Sequence, residues 1–235
     1  MPIVVENGID IGPGITIGGS AGPVLSNLTM YLNANDSASY PGTGTTWFDI
    51  SGNGANIALN NSPTFTAGSP AYFTFNGSNQ YGIGSTNGVL DNTKYTKSVW
   101  FYLNGYNDNN FSSSQAGGHF MYMANTNKVY CGHTDWVNYG AYPSTATFSL
   151  STWYYIALTF DTTVGMTLYV NGVQDSTYTA NKSAFTGNGS TNVATFDGSG
   201  NYLNGRISQA FFYNKRLSGA EVLQNYNSTK ALYGY

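Results

Sequence analysis

The amino-acid sequence predicts an all-β protein, a two-sheet antiparallel jelly-roll sandwich with one short C-terminal helix. Three observations carry that expectation. Residues 153–160 (WYYIALTF) and 166–170 (MTLYV) alternate apolar and aromatic side chains with small polar ones, the period of two of a strand with one buried face. Asn171-Gly172 then turns the chain into residues 173–178, and this pair supplies both positive φ angles of a type I′ hairpin turn. Further Asn-Gly pairs at 53–54, 76–77, 104–105 and 204–205 punctuate the chain into many short strands, as two packed antiparallel sheets require.

Strands are expected near residues 28–34, 56–59, 71–76, 80–84, 97–103, 119–124, 127–133 and 146–149, then in the hairpin segments above, at 192–196 and at 206–213. Residues 1–23 differ in kind: Ile9, Ile11, Ile15 and Ile17 alternate with Asp, Gly and Thr and are broken by Pro13, Gly18, Gly19 and Pro23. Glycine at that density confers little stiffness. The segment reads as an arm, either an unstructured tail or one that orders as β structure against a partner chain, with residues 24–235 as the domain. Near the C-terminus, Ser218 and Glu221 form a capping-box pair, and Leu217 and Val222 occupy staple positions. Leu223 and Tyr226 are expected to share the face of Val222 on a helix of about two turns.

Composition narrows the function classes. Aromatic residues make up 16% of the chain, with 20 Tyr, enough ring area for a core without disulfides or metals. Charged residues make up only 8%, against about a quarter in ordinary domains, and Gly, Asn, Ser and Thr supply the polar surface. Such a surface suits neutral hydrogen-bonding ligands such as sugars, or else an inert coat. The net charge of −3 argues against nucleic-acid partners. Cys131 has no cysteine to pair with and reads as a buried thiol. The amino terminus lacks the basic-then-apolar order of a secretory signal, and no apolar run reaches spanning length, so membrane insertion is not expected.

Catalysis is not expected either. Glycosidases pair two carboxylates, about 5 to 5.5 Å apart in retaining enzymes, yet the chain has two Glu, Glu6 in the arm and Glu221 in the helix cap. Its Asp residues fall mostly in turn contexts such as Asp91-Asn92, Asp161-Thr162 and Asp197-Gly198. His119 and His133 are the only histidines, and no Gly-x-Ser-x-Gly elbow accompanies them.

Two stretches could hold a ligand. In residues 130–142 (YCGHTDWVNYGAY), Trp136, Tyr139 and Tyr142 would stack on a sugar's C–H face, while His133, Asp135 and Asn138 would bond its hydroxyls. The alternative is that these rings pack over a sheet or against a neighbouring subunit. In residues 49–56 (DISGNGAN), Asp49, Asn53 and Asn56 offer hard oxygens to Ca²⁺; the alternative is a turn in which Asp49 caps backbone amides. No cofactor is required by either reading.

Several blocks, in order, resemble the concanavalin A-like lectin/glucanase, laminin-G-like jelly-roll domains: 28–35 (LTMYLNAN), 39–54 (SYPGTGTTWFDISGNG), 73–81 (FTFNGSNQY), 98–102 (SVWFY), 153–161 with 168–172 (LYVNG), and 204–218 (NGRISQAFFYNKRLS). Calcium-dependent relatives hold an ion in a loop similar to 49–56; here frequently acidic positions read Asn76, Asn79, Ser208 and Gln209. The 39–47 segment resembles domains met in virion proteins of tailed bacteriophages. That resemblance implies a non-enzymatic virion surface protein, assembled in the host cytoplasm as a homo-oligomer, anchored to other virion proteins through its arm and touching host-surface glycan. A purely structural capsid-decoration or fibre protein without a sugar site is the alternative, and a secreted carbohydrate-binding module the third.

Overall fold

The computed structural model describes residues 21–84, 89–114, 118–134, 139–180, 182–184 and 189–235. In chain order the strands are β1 (Leu28–Asn33), β2 (Thr46–Trp47), β3 (Ile57–Asn60), β4 (Thr64–Thr66), β5 (Tyr72–Asn76), β6 (Tyr81–Gly84), β7 (Lys94–Leu103), β8 (Asn109–Ser114), β9 (His119–Met123) and β10 (Val129–Thr134). They continue as β11 (Tyr139–Pro143), β12 (Trp153–Asp161), β13 (Gly165–Val170), β14 (Val173–Tyr178), β15 (Thr191–Val193) and β16 (Asn204–Tyr213), before α1 (Gly219–Thr229) and a 3-10 turn (Lys230–Tyr233). They form two antiparallel sheets of eight strands. The first runs β14-β13-β12-β7-β16-β5-β4, with β1 also on β16, and the second β11-β10-β9-β8-β15-β6-β3-β2.

The two-residue hairpin forms as its sequence dictates. Val170 pairs with Val173, and Asn171 and Gly172 take φ of 49° and 79°, the twist that matches the flanking strands. On β16, one edge serves two partners: β5 pairs with Asn204–Ile207 and β1 with Gln209–Tyr213. At the handover the register against β7 slips between Ile207 and Gln209, leaving Ser208 as the extra residue of a bulge. Its hydroxyl donates to the Ala71 carbonyl and accepts from Tyr233, and its own carbonyl takes the Ala34 amide.

Alternation in β7 sends Tyr95, Val99, Phe101 and Leu103 between the sheets, where they meet Met121, Met123, Val129, Ile156, Ile207 and Phe212. The opposite face carries Trp100, which joins Tyr155, Phe211, Tyr213, Val222, Tyr226 and Tyr233 in a second core beneath α1. Burial on both faces explains the apolar runs Val99–Leu103 of β7 and Ala210–Tyr213 of β16, and it extends to Tyr155–Phe160 of β12, where one buried face was expected.

Ser218 caps α1, with its side chain accepting from the Glu221 amide while Glu221 accepts from the Ser218 amide. The helix is 11 residues long rather than two turns, and Leu223 does not share the buried face: it is exposed, and Val222, Asn225, Tyr226 and Thr229 point inward. Residues three, four and seven along from Val222 return to one face, whereas the next residue lies about 100° round. The expected strand at 146–149 is absent; that segment is a loop pinned by buried Phe148. Conversely, β2, β4, β8 and β11 were not expected.

Replacing Trp100 by Ala should cost about 3–5 kcal/mol by opening a hole where Tyr233 and Tyr226 stack. A lower guanidinium unfolding midpoint at unchanged slope is the readout.

Candidate functional site

Residues 130–142 turn out to be largely hairpin. β10 and β11 pair from Tyr130–Pro143 to Thr134–Tyr139, which puts Tyr139 on β11; Asp135, Trp136 and Asn138 lie outside the described residues. Tyr142 stacks on Tyr178 at 4.6 Å, partly buried against the main core. His133 is fully buried. Its Nε2 donates to the Ser183 carbonyl at 3.0 Å and its Nδ1 meets the Tyr95 hydroxyl at 3.2 Å. The parity of Val129, Cys131 and His133 turns all three into the sandwich, away from any external ligand.

Around them lies a buried polar cluster. Directly across from His133 stands His119, whose Nδ1 accepts from Lys97 Nζ at 3.2 Å. Burial pulls the Lys97 ammonium down to about 7, against a smaller opposing pull from Cys131. Burial, then the Lys97 charge and His133, hold His119 well below the ordinary histidine value. Burial pushes the Cys131 thiol up to about 12, so it stays a protonated thiol and a poor nucleophile at neutral pH.

Asp49, Asn53 and Asn56 do come together in one loop, but the Asp49 and Asn56 oxygens already accept hydrogen bonds. The two Asp49 oxygens accept from the Tyr31, Ser51 and Ala55 amides and the Ser51 hydroxyl at 2.8–3.0 Å. Asn56 Oδ1 takes the Asp49 amide, and Asn53 Nδ2 donates to the Leu28 carbonyl. Donor hydrogens converge on the lone carboxylate, which does not fit a Ca²⁺ cage built from several anionic oxygens. Among the described residues no group of three or more His, Cys, Asp and Glu could hold a metal.

A different site emerges on the outer face of the second sheet. Asp108, Asn110, Tyr122, Phe196 and Asn201 line a recess of about 190 Å³. An adjoining one of about 240 Å³ shares Asp108 and Asn201 and adds Gly77, Asn107, Asn125 and Tyr202. Asn110 pairs with Tyr122 across β8 and β9, so both point outward. The Asn110 side chain is 1% exposed, yet its Oδ1 has no hydrogen-bond partner, while its Nδ2 reaches the Asn201 carbonyl at 3.5 Å. An unpaired buried carbonyl oxygen costs about 1–3 kcal/mol. Tyr122 stacks on Tyr130 at 5.5 Å, and its hydroxyl is held up by burial and then by Asp108. The Phe196 carbonyl takes donors from Ser113 and Asn192, which fixes the loop forming one wall.

The sequence profile described as the concanavalin A-like lectin/glucanases superfamily matches residues 75–223, well over half of the chain. The chain belongs to that superfamily. No curated protein matches it in sequence. Among solved structures, this concanavalin A-like chain is similar in fold to the binding domain of Paraclostridial Mosquitocidal Protein 1 (TM-score 0.68, 19% identity, 86% of this chain and 52% of that one). It is likewise similar to the botulinum neurotoxin type G receptor-binding domain (0.64, 16%, 86% and 51%) and to the Trypanosoma rangeli sialidase bound to the inhibitor DANA (0.66, 15%, 91% and 34%). The chain thus spans about a third to a half of the structures it matches.

The buried cluster predicts a pH dependence. Lys97 binds its proton less tightly folded than unfolded, so the unfolded state carries more protons above pH 7 and stability rises with pH there. The gain from pH 7 to 9 should be on the order of 2 kcal/mol, and Lys97→Met should flatten the slope in denaturation curves taken across that range.

Proposed function

We propose that this chain is a non-catalytic, lectin-like domain that binds carbohydrate in the recess between Asp108 and Asn201. The observation that carries the reading is the exposed Asp108 carboxylate beside the Tyr122 ring in one recess. A sugar hydroxyl would donate to the exposed Asp108 carboxylate, while a C–H face of the ring packs on Tyr122 or Phe196 and buried Asn110 forms the floor between them. Asp108 is the sole carboxylate lining either recess, which supports binding without bond cleavage. Similar folds add support: cell entry by botulinum neurotoxin type C depends on interaction with two ganglioside molecules (TM-score 0.66, 13% identity).

The setting we propose is the surface of a tailed-bacteriophage particle. Residues 1–23 would join the domain to other virion proteins as part of a homo-oligomer, and the recess would meet host glycan. Support comes from the resemblance of residues 39–47 and the Ile/Gly alternation of residues 1–23. Electron microscopy of particles labelled with an antibody to this chain tests the location; an unlabelled particle surface overturns it.

Asp108→Ala should weaken binding to the best ligand from a glycan array about tenfold or more, since a hydrogen bond to a charged group is worth about 1.5–3 kcal/mol, and Tyr122→Ala should weaken it several-fold, a ring contact being worth about 0.5–1.5 kcal/mol. Calorimetric titration of variants with native circular dichroism reads this out. Undiminished binding by both would remove the recess from consideration.

A further inference from the structure

On the outer face of the first sheet, strand register lines up one row across five strands: Thr64 on β4, Thr74 on β5, Arg206 on β16, Tyr102 on β7 and Trp153 on β12. The Arg206 guanidinium carbon sits 4.3 Å from the Tyr102 ring centroid and 4.7 Å from that of Tyr72. Trp153 approaches the same two rings at 5.6 and 5.7 Å. Arg206, Tyr72, Tyr102 and Trp153 are all partly exposed, so the row is open to a ligand.

A guanidinium has five N–H donors, and Arg206 places none of them on a described residue: its Nε is buried without a partner, and the one ion pair among the described residues is Lys215–Glu221. Its neighbours in the row are neutral. Ring contacts therefore hold the cation in place without satisfying its hydrogen bonds. Such a group, with a tryptophan beside it, matches an anionic group carried on a ring with an apolar face. A carboxylate accepts two parallel N–H···O bonds from the fork and, on an acidic saccharide, sits directly on a ring whose C–H face can meet the tryptophan.

We infer that Arg206, held between Tyr72 and Tyr102 beside Trp153, forms a second binding site that takes the carboxylate of an acidic saccharide. The guanidinium pairs with the carboxylate and Trp153 covers a face of the sugar ring. The site lies on the sheet opposite the Asn110 recess and does not depend on it.

The test is titration of the full chain at low ionic strength with tetragalacturonate and with sialyllactose, read by Trp fluorescence and calorimetry. At least one should bind saturably and identify the acid. Arg206→Gln should weaken that binding tenfold or more, and the methyl ester of the same sugar should bind correspondingly weakly. Thr74→Glu, which sets a carboxylate directly across from Arg206, should do the same without removing the arginine, and it serves if Arg206→Gln does not fold. Both variants should leave binding in the Asn110 recess unchanged, so failure at one site is distinct from failure at the other. Binding of neither acid, equal affinity for the ester, or undiminished affinity in a folded variant overturns the inference.

Discussion

Trp100 is packed against Tyr233 at 3.8 Å, Tyr155 at 5.5 Å and Tyr226 at 5.7 Å, and its indole N–H donates to Thr229. The strand bearing it simultaneously sends Val99 and Phe101 into the space between the sheets. Double burial of β7 and its neighbour β16 is the constraint from which the rest follows. It requires a helix on the outside and hence the capped start at Ser218. It also requires the two faces of β16 to keep their alternation past the point where its partner changes, which the extra residue at Ser208 accomplishes. Tyr213 and Asn225 then tie residues just before β1 to the helix through Val24, whose amide and carbonyl are both bonded.

Most of the sandwich was legible because its signals are local. An aromatic-rich apolar run, an Asn-Gly turn and a capping box each act within a few residues, and the strands at 153–178 and the start of α1 follow from them, although β12 and β13 are buried on both faces rather than on the one that a period of two implies. What escaped depends on distant contacts. β2 and β4 are two and three residues long and gain strand geometry only from their partners. β8 (NNFSSS) reads as a polar loop, yet every residue is buried because β9 and β15 flank it. Leu223 was misplaced because hydrophobicity stood in for helical phase, while the polar Asn225 and Thr229 turned inward to bond Val24 and Trp100.

The same contrast applies to sites. Within residues 130–142, alternation along β10 turns His133 inward, while Asp135, Trp136 and Asn138 lie outside the described residues. The Asn110 recess gathers residues from positions 77 to 202, which no spacing rule unites. Its sequence trace is the Asn-Asp-Asn-Asn run at 107–110, a pattern that reads equally well as a turn. Only the pairing of β8 with β9 shows that Asn110 and Tyr122 share a face. Likewise Asp49 advertised hard oxygens, and the fold spends them on amides.

Placement of residues 21–24 sets an orientation for the whole domain. The Gly22 carbonyl accepts from Gln224 and the Val24 amide donates to Asn225, so the polypeptide enters from the helix side, behind the first sheet. The Asn110 recess opens on the far side, across two sheet layers about 10 Å apart. A support joined through the entering chain would thus stand behind the molecule and leave the recess facing outward, while Arg206 looks back toward the support.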